Sequence, residues 1–173
     1  MTLLEESNKR KPEEHLKGKK VAIVGLGLSQ VDFAIAQQNS RTWDEVWCIN
    51  SAGYTYPCQK IFMLDPASRF FDSDDAGKQT SVMQKLLSET DTPVFTCELD
   101  ERIKNPVLFP VKEVCDATKC AYLNTTVAYS IAYALWCQVG RIDLFGIDFS
   151  YKENMHFAEA GRACVEFWIS KCM

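Results

Sequence analysis

The sequence has no hydrophobic run long enough to cross a membrane. No stretch of its 173 residues approaches about 18 consecutive apolar residues, the length that indicates a transmembrane helix. The charged start, MTLLEESNKRKPEEHLKGKK, is followed by no apolar core of the kind that a secretory signal peptide needs. We therefore expect a cytoplasmic protein without a membrane span.

An excess of positive charge is also absent. The chain has 19 Lys and Arg residues against 23 Asp and Glu residues, which gives a formal net charge of −4. Domains that bind nucleic acid usually carry a strongly basic surface. The whole-chain charge therefore does not indicate a nucleic-acid partner.

Histidine is scarce, and the cysteines lack the spacing of a metal site. The chain has 8 cysteines but no Cys-x-x-Cys pair, and it has only 2 histidines. Zinc sites in proteins need such ligands at short, regular spacings. Most of the cysteines lie in apolar segments, where free thiols behave as small hydrophobic side chains. We expect reduced, structural cysteines, and the sequence leaves a requirement for a divalent metal open.

Short apolar runs alternate with helical patterns along residues 19–173. Residues 21–24 form a β-branched run that ends at glycine, which is typical of a strand buried on both faces. Further strands are expected at 43–49, 60–64, 92–97 and 142–147, an extended segment at 105–111, and helices at 31–36, 81–87, 124–139 and 157–172. This alternation predicts one α/β domain, a three-layer Rossmann-like fold with a mainly parallel, doubly wound sheet. Residues 1–18 are expected to form a flexible N-terminal arm or a short capping helix.

Small and polar residues stand where the predicted strands end. In open parallel sheets, ligands bind at the carboxyl ends of the strands, near the point where the strand order reverses. We therefore expect a nucleotide to contact this edge. The candidate residues are Gly25, Gly27, Ser29 and Gln30 after the first strand, Asn50 and Ser51 after the second, Asn124, Thr125 and Thr126 at a helix start, and Ser150 and Tyr151 after the last strand.

The glycine turn, residues 25–29, carries the most informative pattern. Glycines let backbone N–H groups approach a phosphate, and the start of the following helix adds partial positive charge. The pattern predicts phosphate binding, although a tight turn that binds nothing has the same residues. The dinucleotide fingerprint needs glycine where Gln30 stands and an acidic residue where Asn50 stands. An NAD(P)-dependent oxidoreductase is therefore the less favoured alternative.

The other polar positions have two interpretations each. Asn and Thr at 124–126 suit a helix cap, and the N–H groups there also suit an anion. Asp148 can bind a metal, accept a hydrogen bond from a sugar, or order its loop. An imidazole titrates near neutral pH, so His156 suits a general acid or base, although a surface position suits it equally. Asp148 and His156 are the candidate catalytic residues.

Two stretches resemble a known family. VAIVGLGLSQVDF with VWCIN, and later YLNTTVAYSIAYALWCQVGRIDLFGIDFSY, resemble the MptE-like 6-hydroxymethylpterin pyrophosphokinases of archaea, which have a Rossmann-like fold. They also resemble the related bacterial sialyltransferases that use CMP-activated sialic acid. The shared features are a Gly-x-Gly-x-Ser turn, Asn50, the Thr-rich helix start and a Gly-Ile-Asp-Phe strand end. The resemblance spans about residues 19–152.

The resemblance implies a nucleotide-dependent transferase, either glycosyltransferase-like or pyrophosphokinase-like. It implies that Gly25, Gly27 and Ser29 contact the phosphates of a nucleotide or nucleotide-sugar donor and that Asn50 lies beside the donor. Thr125 and Thr126 then face the transferred group. The implied partners are a small-molecule nucleotide and its acceptor.

Three departures from the family pattern leave a non-catalytic nucleotide- or ligand-binding module as the alternative. Leu28 stands where the sialyltransferases have proline, and Ser150 stands where they have a phosphate-binding tyrosine, with Tyr151 one residue later. Their catalytic histidine lies further downstream than His156. The apolar stripe of the helix around Trp136 is also compatible with a homo-oligomer.

Overall fold

The computed structural model describes residues 10–74, 76–150 and 154–173 and contains one six-stranded sheet. The strands are β1 Lys20–Val24, β2 Glu45–Ile49, β3 Lys60–Met63, β4 Val94–Thr96, β5 Pro106–Leu108 and β6 Arg141–Phe145. Their order is β5-β4-β3-β2-β1-β6, and every neighbouring pair is parallel. The predicted fold class, a three-layer α/β domain with a parallel, doubly wound sheet, is confirmed.

The described residues include seven α-helices, which cover both faces of the sheet. One face carries α1 Val31–Gln38, α2 Ala52–Thr55, α3 Ser68–Phe71 and α4 Gln79–Glu89. The other face carries α5 Val111–Thr118, α6 Thr126–Trp136 and α7 Met155–Cys172. None of the helices in the described part of the chain combines the length and the apolarity that crossing a bilayer takes.

The central strands are buried on both sides, as their continuous apolar runs predicted. Ile23 of β1 packs in one core with Ile131 of α6 and Trp168 of α7. The next residue, Val24, packs in the opposite core with Phe33 of α1. Because successive strand residues point to opposite faces, a strand covered by helices on both sides has no polar alternation.

The strand order reverses between β1 and β6. Strands β1 to β5 follow one another across the sheet in one direction, and β6 then pairs with the opposite edge of β1. The turns that follow β1 and β6 are therefore neighbours: Gly25 N–H donates to Phe145 O at 2.8 Å, and Gly27 N–H donates to Gly146 O at 2.8 Å. This reversal is the position at which open α/β sheets bind their ligands.

The segment before β1 packs against the sheet and differs from the expected flexible arm. A 3₁₀ turn at Glu14–Leu16 places Leu16 fully inside the core. Gly18 N–H donates to Gln138 O at 2.9 Å, just beyond α6. The short capping helix, the other alternative from the sequence, describes this segment better, because one apolar side chain closes the base of the core. Residues 1–9 lie outside the described residues.

A buried lysine balances two carboxylates at the amino-terminal edge of the sheet. Lys60 Nζ lies 2.6 Å from Glu45 Oε2 and 3.1 Å from Glu13 Oε2, and the Lys60 side chain is only 7% exposed. Burial acts to raise the pKa of Glu45, but hydrogen bonds from Lys60, His15 and Trp47 outweigh it and hold this pKa below its usual value. Ionised Glu45 therefore stabilises the fold above its usual titration range. That contribution is lost as the pH falls through the lowered pKa.

We expect Lys60→Met to lower the free energy of unfolding by about 3 kcal/mol at neutral pH, because two partly buried carboxylates then lack their cation. The loss should shrink below about pH 4, where protonation removes the unbalanced charge. Urea unfolding, followed by tryptophan fluorescence at neutral pH and below about pH 4, measures how the loss in free energy of unfolding depends on pH. Lys17→Met, at an exposed lysine of the same edge, is the control. An equal loss at both pH values would contradict this electrostatic explanation.

Candidate functional site

Two adjoining hollows open at the carboxyl ends of the strands, where β1 and β6 meet. Their volumes are about 480 Å³ and about 250 Å³. The larger, the helix hollow, includes the start of α6, and the smaller, the glycine hollow, includes the turns after β1 and β6. Both hollows share Leu26, Ile49, Asn50, Val127 and Phe149, so we treat them as one switch-point cleft. The structure therefore brings the glycine turn and the Thr-rich helix start to the same cleft.

Three of the five N–H groups in the glycine turn are already bonded within the protein, and the other two have no acceptor among the described residues. The N–H groups of Gly25 and Gly27 donate to carbonyl groups at the end of β6. Ser29 N–H donates to Asp148 Oδ2 at 2.8 Å. This corrects the expectation that Gly25, Gly27 and Ser29 present free N–H groups to a nucleotide phosphate, because the turn after β6 already supplies their acceptors.

The Ser29 hydroxyl links the two turns a second time. Ser29 Oγ accepts a hydrogen bond from Gly146 N–H at 3.1 Å and donates to Asp148 Oδ1. The Asp148 carboxylate packs so close to Gly27 that a Cβ there would lie 2.7 Å from its Cγ. The glycines of the turn therefore permit close approach of two protein backbones, which is a use of glycine that needs no ligand.

The start of α6 offers N–H groups without acceptors. Thr125 caps the helix, since its Oγ1 accepts from Ala128 N–H at 3.1 Å and its carbonyl accepts from Tyr129 N–H at 3.2 Å. The N–H groups of Thr126 and Val127 find no acceptor in the part of the chain that the structure describes. Both residues line the helix hollow. Two free donors at the positive end of an eleven-residue helix can bind an anion.

Asn50 presents a side-chain oxygen without a donor. It follows β2 in the left-handed conformation, at φ +50, which asparagine tolerates better than most residues. Its Oδ1 is buried and has no hydrogen-bond partner among the described residues. The residue lines both hollows. Since buried polar atoms are almost always hydrogen-bonded, this oxygen indicates a position for a hydroxyl or amino group of a ligand.

Phe149 and Arg69 belong to the cleft, although neither was predicted as a site residue. Phe149 has φ +49 and packs against α7, where a Cβ on Gly161 would lie 2.9 Å from its Cε1. Among the described residues, Arg69 is the one cationic side chain that lines the helix hollow, and its Nη1 lies 2.6 Å from Oδ1 of Asp65, which lines the same hollow. The position of the Phe149 ring depends on Gly161 in α7, so no local sequence pattern could reveal this wall of the cleft.

His156 lies outside the cleft. It is an exposed residue in the first turn of α7, and it is not among the residues that line either hollow. Asp148 does line the glycine hollow, but each of its carboxylate oxygens accepts a hydrogen bond from Ser29. The two candidate catalytic residues therefore do not form an acid–base pair in this structure.

The remaining candidate residues divide between the cleft and the protein interior. Asn124 lines the helix hollow, and Ser150 lines the glycine hollow. Ser51 lines neither, because it is buried and its hydroxyl bonds to the first side chain of α4. Gln30 belongs to the 3₁₀ turn before α1 and also lines neither hollow. Tyr151 lies outside the described residues.

The cleft contains no group of three metal-ligating side chains among the residues that the structure describes. The group with suitable spacing is Glu13, His15 and Glu45, whose ligand atoms lie within 4.8 Å of one another at the opposite edge of the sheet. There the ammonium of Lys60 already pairs with both carboxylates. A divalent ion at that place would have to displace a buried cation.

Searches for relatives found no family model, no curated protein and no solved structure that matches the chain. The resemblance to the MptE-like family and the bacterial sialyltransferases therefore stays a prediction from short motifs.

Proposed function

We propose that the protein is a nucleotide-dependent transferase, glycosyltransferase-like or pyrophosphokinase-like, that binds the donor phosphate at the start of α6. The observation that carries this proposal is the pair of free N–H groups of Thr126 and Val127, which belong to the lining of a cleft at the strand reversal. Of the two phosphate positions that the sequence offered, this proposal favours the helix start, because Gly25, Gly27 and Ser29 use their N–H groups internally.

The cleft has the size and chemistry that a nucleotide needs. Its larger hollow, about 480 Å³, lies within the usual range for small-molecule sites. Arg69 lines the same hollow as an ion pair with Asp65, and the unpaired Asn50 oxygen suits a sugar hydroxyl. Leu26 and Phe149 supply apolar surface for a base or a sugar face.

The described residues favour catalysis by stabilisation of the negative charge on the leaving group. When a glycosyl or pyrophosphoryl group is transferred, negative charge develops on the nucleotide phosphate. Fixed donors aimed at developing charge are often the largest contribution to catalysis. In the proposed site the N–H groups of Thr126 and Val127 make that contribution, and His156 has no role in it.

A non-catalytic nucleotide-binding module is the second candidate function. Two observations favour it: His156 is outside the cleft, and both Asp148 oxygens are engaged by Ser29. An NAD(P)-dependent oxidoreductase is supported less well, because three N–H groups of the glycine turn, including that of Ser29, are bonded within the protein.

Thr126→Pro tests the phosphate position directly. Proline at the first helical residue removes the N–H donor and preserves the helix, and Thr125 already has the extended conformation that a following proline requires (φ −140, ψ 149). We expect calorimetric titrations with CMP, CTP, ATP and a CMP-activated sugar to show binding of at least one ligand. Thr126→Pro should weaken that binding about tenfold, because it removes one charge-assisted hydrogen bond.

The matched control is Thr126→Ala, which keeps the N–H donor and removes only the side chain. Its affinity should stay within about twofold of the unmodified protein. Absence of binding by all four ligands at millimolar concentration, or equal affinity of Thr126→Pro and the unmodified protein, would refute the proposed site.

A turnover assay separates the transferase from the binding module. The protein is incubated with the nucleotide that it binds and with candidate acceptors, and release of the leaving nucleotide is followed by ³¹P NMR. We expect release, and we expect His156→Ala to keep the rate within about twofold because this side chain lies outside the cleft. Binding without release would favour the non-catalytic module, and a large loss in His156→Ala would contradict the placement of the site.

Gly161→Ala tests the wall of the cleft. A Cβ at this position would lie 2.9 Å from the Phe149 ring and 3.1 Å from Thr125 Cγ2, so the ring must shift away from α7. We expect nucleotide affinity to fall about fivefold or more, while the melting temperature changes little, because alanine favours the helix by about 0.5–1 kcal/mol. Lys171→Ala, exposed near the end of the same helix, is the control. Unchanged affinity in Gly161→Ala would show that Phe149 does not border the ligand.

A further inference from the structure

The Asp148 carboxylate occupies the position in the glycine turn where a bound phosphate would be expected. One oxygen accepts from Ser29 N–H at 2.8 Å, and the other accepts from the Ser29 hydroxyl. A main-chain N–H beside a serine hydroxyl, at the start of a helical segment, is a donor pair that phosphate groups use. Here the protein provides the anion itself.

We propose that Asp148 determines where a phosphate binds in this protein: its carboxylate takes both donors of Ser29 and so keeps a phosphate away from them. This proposal deepens the proposed function because it concerns the same cleft. It rests on the proposed function in one respect, that the ligand carries a phosphate. Its consequence is that the start of α6 becomes the phosphate position.

The direction of the hydrogen bonds supports this role of Asp148. Gly146 N–H donates to Ser29 Oγ at 3.1 Å, so the hydroxyl uses its own proton for Asp148 and has none for a ligand. The Gly25 and Gly27 N–H groups donate to carbonyls of the neighbouring turn. An anion that approached Gly25, Gly27 and Ser29 would find their N–H groups engaged.

Electrostatic repulsion from the Asp148 carboxylate also disfavours a phosphate at Ser29. A carboxylate and a phosphate that share one set of donors repel each other, since like charges at close range cannot both remain ionised without cost. A ligand with a phosphate at one end avoids this repulsion when that phosphate binds at Thr126 and Val127. A dinucleotide whose pyrophosphate needs the Ser29 donors would have to displace this carboxylate.

The test compares phosphate binding by the full chain and by Asp148→Ala, with the backbone N–H signals followed by NMR. Inorganic phosphate and pyrophosphate are the probes. In the unmodified protein we expect the Ser29 signal to stay unchanged while the Thr126 and Val127 signals move. In Asp148→Ala the Ser29 and Gly27 signals should also move, with a dissociation constant at that turn at least about tenfold lower than in the unmodified protein.

Two further variants identify the cause. Asp148→Asn keeps the size and one acceptor but removes the charge, so it should show an intermediate response at Ser29. Ser29→Ala combined with Asp148→Ala removes the hydroxyl donor and should lose most of the gained binding. The proposal is overturned if phosphate shifts the Ser29 N–H signal to the same extent in the unmodified protein and in Asp148→Ala.

A measurement on the unmodified protein keeps the test independent of the variants. A through-hydrogen-bond coupling between Ser29 N and Asp148 Cγ should be observed in solution, and its absence would also overturn the proposal. If the Thr126 and Val127 signals stay still in every protein, the proposed function fails. The comparison at Ser29 still decides the role of Asp148.

Discussion

Close contact between the turns after β1 and β6 is the constraint on which the shape of the cleft depends. A Cβ on Gly25 would lie 2.6 Å from Gly146 O, and a Cβ on Gly146 would lie 2.6 Å from Gly25 O. Gly146 also has φ +67, a conformation that side chains rarely adopt. The two backbones can therefore touch only because both positions are glycine. Their contact places Ser29 within reach of Asp148.

This contact divides the cleft into two chemically different parts. The glycine hollow is bordered by an acceptor, the Asp148 carboxylate, whereas the helix hollow is bordered by the free donors of α6 and by the Arg69–Asp65 ion pair. A ligand with a negative end and a hydroxyl-rich end therefore meets a complementary arrangement. The Asn50 oxygen, which lines both hollows, lies where the two parts join.

The sequence predicted the sheet well because each central strand is buried on both faces and so reads as an unbroken apolar run. The expected first strand at 21–24 differs from Lys20–Val24 by one residue. The four-residue helices Ala52–Thr55 and Ser68–Phe71 were missed because one helical turn has no period to detect. The helix at Val111–Thr118 was missed as well, since the two prolines of the extended segment before it dominated the pattern.

The cleft residues were predictable in position but not in hydrogen bonding. Parallel strands bring their carboxyl ends to one edge, so Asn50, Thr126 and Asp148 could be expected near one another. The bond between Ser29 and Asp148 joins residues 119 positions apart. A Gly-x-Gly-x-Ser turn has the same residues whether it holds a ligand's phosphate or the protein's own carboxylate. Local sequence therefore could not tell which donors remain free.

Helix α6 connects the cleft to the opposite end of the molecule. Beyond its carboxyl end, Gln138 and Val139 contact the segment before β1, and most of its residues are buried. Its eleven residues form a rod about 16 Å long, packed along its length and tied down at its far end. The free N–H groups at its start are therefore preorganised: little protein conformational entropy remains to be lost on association, and most of the ordering cost falls on the ligand.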